Sequence, residues 1–463
     1  MVFSSLLFIF QFLPVALIVY YIAPKKAKNL VLFLVSLVFY SWGEIRYFPI
    51  MLATILVNYF CAIGIERAAS PKVKKGLLLV ALIVCLGFLF VFKYLDFFIQ
   101  NVNSALHVTV PLLELTLPLG ISFYTFQTLS YTIDVYRGKV PAEHSFVNTA
   151  AFVVLFPQLI AGPIVRYSDI QKELRERTVT PRMLEQGAEE FVIGLARKVL
   201  IANNVGALWT ELESLGFGNL SSGLAWLGAL AFTLQIYFDF SGYSQMAIGL
   251  GRMMGFNFPK NFDNPYSSKS ITEFWRRWHI TLSSWFKEYV YIPLGGNRRG
   301  LKRQIFNMFV VWALTGFWHG ASWNFLLWGL YYFLLLTVEK AFLLKFLDRH
   351  KIVAHLYTLF AVVVGWCLFQ ITDFASLGVF FSRLFVPRIV SAGTASLGLD
   401  YYLRNYVVVL ALGCFFSTDT SSYLYAKLRE RRGLKIALMV FLFLVSVAYL
   451  VDSTYNPFLY FRF

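Results

Sequence analysis

Residues 304–338 read QIFNMFVVWALTGFWHGASWNFLLWGLYYFLLLTV, a run of 35 positions without Asp, Glu, Lys or Arg. As one α-helix at 1.5 Å per residue it would be about 52 Å long, against a hydrocarbon core of about 30 Å. It must tilt steeply or break. Gly316, Gly320, Ser322 and Asn324 permit a break, and His319 lies between the two glycines near the midpoint. An ionisable side chain at that depth is costly and reads as functional by default. A polar tie between helices is the plainer alternative. As neutral imidazole, His319 can take a hydroxyl proton near pH 7.

The segment upstream, ITEFWRRWHITLSSWFKEYVYIPLGGNRRG from Ile271 to Gly300, is two-sided if helical. Trp275, His279, Leu282, Phe286 and Val290 fall on one face, and Glu273, Arg277, Thr281, Ser284 and Glu288 on another. His279 is then on the apolar side, either a core histidine or part of a site. Arg276, Arg277, Lys287, Arg298, Arg299, Lys302 and Arg303 concentrate positive charge on one side of the membrane. A solvated face is the ordinary reading of such a cluster. Phosphate recognition is the sharper one, Arg forks suiting it best. Asp239, in YFDFSGYS, ends an apolar run and is expected to pair with an arginine or to accept hydrogen bonds at a helix break, a catalytic role being the alternative.

Hydrophobic residues make up 58% of the 463 positions, against roughly 45–50% in soluble domains. The expectation is an all-α polytopic membrane protein. Windows of spanning length fall near 2–23, 29–44, 47–65, 76–97, 110–133, 148–165, 222–239, 305–338, 352–371, 402–417 and 436–451. The net charge of +16 sits in short basic clusters between apolar runs, the pattern of cytoplasmic loops, and argues against nucleic acid as a partner. Lys25, Lys26 and Lys28 follow the first run and place the N-terminus outside; Arg429, Arg431, Arg432 and Lys435 precede the last run and place the C-terminus outside. Cys61, Cys85, Cys367 and Cys414 stand singly, without zinc spacing, and read as buried packing residues.

Residues 117–138 are rich in hydroxyls and are expected to line a cavity or to pack on other helices. Pro157, Gln158, Gly162 and Pro163 predict a broken or re-entrant segment. Leu184, Ala188, Phe191, Leu195 and Val199 predict an amphipathic helix at the cytoplasmic surface, or one packed on neighbouring loops. No repeat and no interdomain linker is apparent. One membrane domain is expected over 1–463: spans in 1–165, surface helices and motif core in 166–304, the histidine-bearing segment in 305–338, and spans with an outer tail in 339–463.

The blocks DFSGYS, NFDNPY, SITEFWRRWHITLSSWFKEYVYIPLGGNRRG and FWHGASWNFLLWG closely resemble the membrane-bound O-acyltransferases, in the bacterial branch that includes the alginate O-acetyltransferases. The teichoic-acid D-alanylation proteins are similar at greater distance. The resemblance runs over nearly the whole chain. It implies about eleven spans plus re-entrant and surface helices around a central tunnel. His319 in FWHGASW corresponds to the family's near-invariant histidine, and His279 in RRWHITLS to its second. Asp239, Asn264, Tyr266, Trp275, Trp318 and Asn324 then read as tunnel or structural polar positions. Gln245 stands where many members of that branch carry Asp, which bears on whether alginate is the polymer.

What the resemblance implies functionally is transfer of an acetyl group across the bacterial inner membrane, from cytoplasmic acetyl-CoA toward an extracytoplasmic polysaccharide or cell-wall polymer. No permanently bound cofactor is implied. The basic cluster Arg276, Arg277, Arg298, Arg299, Lys302 and Arg303 becomes the donor site, and an extracytoplasmic SGNH-type acetyltransferase the partner. D-alanyl or other acyl transfer from a carrier protein is the alternative within the class. A transporter or flippase is the alternative outside it, for which paired broken repeats are expected. The tail NPFLYFRF carries Phe458, Tyr460 and Phe463 at the spacing of a Phe-x-Tyr-x-x-Phe ending in the D-alanylation system. A hydrophobic clasp is one reading of it; Tyr460 as transient acyl carrier is the other.

Overall fold

The structure is a computed structural model that describes residues 1–386, 398–452, 455–457 and 459. Every regular element among them is a helix. Seven are long and apolar enough to cross a bilayer: Phe48–Arg67, Pro71–Lys93, Pro181–Ser214, Ser222–Met253, Lys351–Gln370, Leu399–Phe416 and Arg432–Asp452. Phe8–Ile22 and Phe374–Phe385 are apolar but shorter. The chain is a multi-pass membrane protein.

Two compact units emerge, Met1–Phe191 with Ser244–Lys260, and Val192–Tyr243 with Asn261–Phe463. The first contains α1 (Leu13–Ile22), α2 (Lys28–Glu44), α3 (Phe48–Arg67), α4 (Pro71–Lys93), α5 (Leu95–Leu106), α6 (Ile121–Tyr136), α7 (Phe146–Val154), α8 (Phe156–Leu159) and α9 (Tyr167–Arg175), and α10 (Pro181–Ala196) begins in it. Its centre is α6, buried along almost its whole length against α3, α4, α7 and α9. The hydroxyls of residues 117–138 are spent on that packing. Thr132 Oγ1 donates to Asn58 Oδ1 at 2.7 Å, and Thr128 Oγ1 to its own helix at Tyr124 O, 2.8 Å. The window expected to open at 110 becomes helical only at Ile121; the residues before it, which include Pro111 and Pro118, form no helix. The interruption expected around Pro157 is present: α7 ends at Val154 and the single turn α8 follows, its Phe156 N–H donating to Ser36 Oγ at 3.0 Å.

Two expectations need correcting here. The amphipathic stretch at 184–199 is not a separate surface helix: Leu184 and Ala188 are exposed, but Phe191, Leu195 and Val199 are buried, and α10 runs on through a π-helical turn, Arg197–Ala202, into α11 (Asn203–Ser214). The 34-residue helix is two-thirds buried over its apolar window, so the stripe of Leu195 and Val199 meets protein rather than a membrane surface. Nor does Asp239 mark a helix break, since α12 (Ser222–Met253) passes through it uninterrupted.

The second unit continues with α13 (Ile271–Arg277), α14 (Ile280–Phe286), α15 (Gly300–His319), α16 (Trp323–Val338), α17 (Leu344–Arg349), α18 (Lys351–Gln370), α19 (Phe374–Phe385), α20 (Leu399–Phe416), α21 (Asp419–Arg429) and α22 (Arg432–Asp452). The two-sided helix expected from Ile271 to Tyr291 is cut at His279, whose φ of 43° and ψ of 54° are left-handed. Its two faces therefore do not run on from one piece to the next. Cys61, Cys85 and Cys367 are buried as expected, whereas Cys414 is exposed, because its face of α20 looks away from the protein.

The uncharged run of 304–338 breaks where its glycine and serine residues allow. α15 and α16 fold back as an antiparallel hairpin closed by Gly320 to Ser322. Close approach of the two backbones requires glycine at two facing positions. A Cβ on Gly316 would stand 2.3 Å from Phe325 O, and one on Gly329 2.4 Å from Trp312 O. Backbone has nowhere to retreat inside a packed hairpin, so Gly316→Val should cost about 1–3 kcal/mol through overpacking. We expect a lower melting midpoint in detergent and a matching loss of activity; an unchanged midpoint would mean that the hairpin adjusts freely.

Candidate active site

His319 is the last residue of α15 and so occupies the hairpin tip. Its ring is 8% exposed. Trp328 at 5.0 Å and Phe369 at 5.1 Å stand edge-on to it, with interplanar angles of 83° and 84°. Trp318 lies at 4.9 Å and Phe325 at 6.5 Å. Nearby, Asn324 Nδ2 donates to Phe369 O at 3.2 Å, tying the start of α16 to the end of α18. The position of His319 is thus set from two helices besides its own.

His279 is held differently. A non-glycine residue in left-handed conformation costs about 1–2 kcal/mol and persists only where its surroundings over-determine it. Here Trp278 N–H donates to Phe274 O at 2.8 Å and Ile280 N–H to Asn261 O at 2.9 Å, while Asp263 N–H donates to Arg277 O at 2.9 Å. These bonds pin the 261–263 segment against the turn and bring Asn261 beside the imidazole.

The hydrogen bonds then decide the tautomer. Asn261 Oδ1 lies 3.1 Å from His279 Nδ1, 3.3 Å from Thr281 N and 2.8 Å from Thr281 Oγ1. A backbone N–H can only donate, so the oxygen of the Asn261 amide faces this group. His279 Nδ1 must carry the proton, leaving the lone pair on Nε2. That nitrogen is buried without a hydrogen-bond partner among the described residues. Burial alone pushes the pKa of His279 down to about 3, so the ring is neutral at working pH.

Both imidazoles pack on Trp318, His279 at 6.1 Å and His319 at 4.9 Å. Their centroids are therefore at most about 11 Å apart, the sum of those two separations. An aromatic wall joins the elements that carry them: Trp275 lies 4.7 Å from Trp312, 4.8 Å from Tyr332 and 5.6 Å from Trp328. The far end of α13 is fastened as well. Glu339 is fully buried and accepts from Ile271 N–H at 2.6 Å, Thr272 N–H at 2.8 Å and Thr272 Oγ1–H at 2.7 Å. A carboxylate there satisfies the first orphan donors of the helix and opposes its dipole.

Residues 139–381 match the membrane-bound O-acyltransferase family. A probable alginate O-acetylase of Pseudomonas putida is 38% identical to this chain, covering 100% of both. A peptidoglycan O-acetyltransferase of Helicobacter pylori is 37% identical over 81% of this chain and 78% of its own. A teichoic acid D-alanyltransferase of Bacillus subtilis is similar at 27% identity over 48% of this chain and 59% of its own. The chain belongs to the membrane-bound O-acyltransferase family. It is an acyltransferase, and its paired histidines lie within the matched residues.

The other sequence-predicted positions of this acyltransferase sort themselves by contact. Asn264 Nδ2 donates to Ser422 Oγ at 2.8 Å and Asp419 Oδ1 at 3.0 Å, and Tyr266 OH to Thr233 O at 2.6 Å, so both tie helices together. Trp275 and Trp318 belong to the aromatic wall. Asp239 accepts from a backbone N–H, that of Leu459, as one of the two expectations had it, and its ionic partner is Lys198 rather than an arginine. In the basic cluster, Arg277 is engaged by Glu273 at 2.7 Å and Asp419 at 3.3 Å, and Arg303 donates to Leu294 O at 3.1 Å and stacks on Phe306. Arg276, Arg298, Arg299 and Lys302 are exposed. Lys302 and Arg303 lie at the opposite end of α15 from His319, about 24 Å away by helix rise. Tyr460, Phe458 and Phe463 lie outside the described residues.

Asn261, Phe240, Trp328, Phe369 and Glu339 were not singled out by sequence reasoning. NFDNPY was visible as a motif, but nothing in it said which asparagine meets His279. Asn261→Leu should lower turnover by about tenfold to 100-fold, since either ring nitrogen can then carry the proton. Steady-state kinetics of the folded variant checks this, and turnover near the wild-type value would remove Asn261 from the site.

Proposed function

We propose that this acyltransferase takes an acetyl group from acetyl-CoA on the cytoplasmic side of the bacterial inner membrane and serves O-acetylation of an extracytoplasmic polysaccharide or cell-wall polymer. The observation that carries the reading is the pair of buried histidines packed on Trp318, one of them neutral with an open Nε2. Two relatives over most or all of the chain are named for acting on alginate and on peptidoglycan, which supports a polymer acceptor.

In the transfer step an acceptor hydroxyl oxygen attacks the thioester carbonyl carbon. His319 takes the hydroxyl proton as the C–O bond forms, and the C–S bond then breaks. The leaving thiolate recovers the proton from the imidazolium, so the histidine ends as it began. The indole N–H of Trp328, which has no acceptor among the described residues and whose ring lies 5.0 Å from His319, is a donor for the carbonyl oxygen as negative charge develops. His279 Nε2 orients the acceptor or the donor's amide groups. Arg298, Arg299 and Lys302 form the exposed positive surface that would hold the donor phosphates, with Arg276 beside Lys340 as a further cation. Tyr460 is retained as the acyl carrier to an SGNH-type partner outside, and both termini as extracytoplasmic.

His319→Ala should reduce transfer by about 100-fold or more, the scale of a lost general base, with normal membrane insertion. His279→Ala should lose somewhat less. Transfer by the purified His319 variant at a substantial fraction of wild type would make that histidine structural. For the donor, joint neutralisation of Arg298, Arg299 and Lys302 should raise the acetyl-CoA KM more than it lowers kcat, as loss of uniform binding does. The opposite split, or labelling that puts Arg298 outside, would overturn the donor assignment.

A further inference from the structure

The second unit contains a buried charge pair that the chemistry above leaves unused. Lys198 Nζ stands 2.6 Å from Asp239 Oδ1, with side chains 2% and 3% exposed. Their meeting depends on close helix packing. A Cβ on Gly242 would lie 2.8 Å from Gly194 O and 3.1 Å from Lys198 N, so α12 presses directly on the helix that carries Lys198. Lys198 itself is in the π-helical turn Arg197–Ala202, a distortion frequently found at functional sites.

Two ions at this burial need more hydrogen bonds than each supplies to the other. An ammonium has three donors. Besides Asp239, Lys198 donates to Asn203 Oδ1 at 2.8 Å and to the carbonyl of Pro457. The second carboxylate oxygen of Asp239 accepts from the N–H of Leu459 at 2.9 Å. Alongside, Asn203 Nδ2 donates to Asn456 Oδ1 at 3.2 Å, and Thr210 Oγ1 lies 3.0 Å from Tyr455 OH. What the pair does not spend on itself and Asn203 therefore goes to the main chain of the C-terminal tail, more than 200 positions away in sequence. Phe240, the next residue of α12, packs edge-on to His279 at 4.8 Å. The tail is held one residue from the packing of the histidine pair.

We propose that Lys198 and Asp239 are positioning residues: together they form a buried receptor for the backbone of the chain's own C-terminal tail and hold that tail for the transfer reaction. Only the turnover readout rests on the acyltransfer chemistry proposed above. The receptor presents a donor to Pro457 O and an acceptor to Leu459 N–H, so the polarity of the pair matters as well as its neutrality. A pair that merely ties two helices would survive reversal. Lys198→Asp combined with Asp239→Lys keeps an ion pair but turns a carboxylate toward a carbonyl and an ammonium toward an N–H.

Hydrogen–deuterium exchange of the C-terminal peptide, followed by mass spectrometry on the full-length protein in detergent, reads tail docking directly, with acetyl transfer measured in parallel. The reversed pair, and the apolar pair Lys198→Met with Asp239→Leu, should each speed exchange of this peptide by about tenfold or more, while exchange elsewhere is unchanged. Both should lower kcat with little change in donor KM. Asn456→Leu leaves the ions in place and removes one tail contact, and should speed exchange about fivefold; it decides the matter if a double variant does not fold. Exchange that stays slow in the folded variants overturns the receptor. A released tail with unchanged kcat overturns the positioning role. His319→Ala separates this from the chemistry: its tail should stay protected while transfer is lost, so transfer retained there would count against the histidine assignment and not against the receptor.

Discussion

A charged or polar group taken away from water is costly unless it finds partners in the protein. This constraint accounts for most of what is unusual in the chain. Glu339 lies fully buried because three donors at the start of α13 need an acceptor, and it meets them at 2.6 to 2.8 Å. Asn261 Oδ1 serves His279 and Thr281 together. Lys198 and Asp239 neutralise each other and give what remains to Asn203 and the tail. Each of these groups is costly if left alone, and each gains rigidity because its partner comes from a distant part of the sequence.

The two buried histidines are placed in two different ways. His319 is placed by shape. The hairpin closes tightly because Gly316 and Gly329 bring the backbones together, and the tip is then filled by the rings of Trp318, Phe325, Trp328 and Phe369. His279 is placed by hydrogen bonds, at a left-handed residue between two short helices that no regular element would produce. The Asn261 contact fixes the tautomer of that ring as well as its place.

Distance along α15 separates a cluster of cations from a buried histidine. Lys302 and Arg303 lie in its first turn and His319 ends it, so in the reading proposed above a donor held by its phosphates at one end would extend an arm toward the other.

Composition and pattern were enough to establish an all-helical membrane protein, because apolar content and the length of apolar runs are local properties that the bilayer reads directly. The break in 304–338 was equally legible: 35 uncharged residues exceed the bilayer as one helix, and glycines mark the place to turn. His319 and His279 could be named from their setting and from the family resemblance. Other features depended on residues far apart in sequence and only the tertiary structure decided them. Periodicity made one helix of Ile271 to Tyr291, while bonds from Asn261 and Asp263 hold the break at His279. Amphipathic spacing suggested a surface for 184–199, yet only its start at Leu184 and Ala188 is exposed, and Phe191, Leu195 and Val199 are buried. Asp239 was expected to pair with an arginine or to accept hydrogen bonds at a helix break; it accepts from Leu459 N–H and pairs with Lys198, inside an unbroken helix. A sequence states which groups must be satisfied; which group satisfies them is settled only when the chain has packed, because the partner's identity is a matter of distance in space.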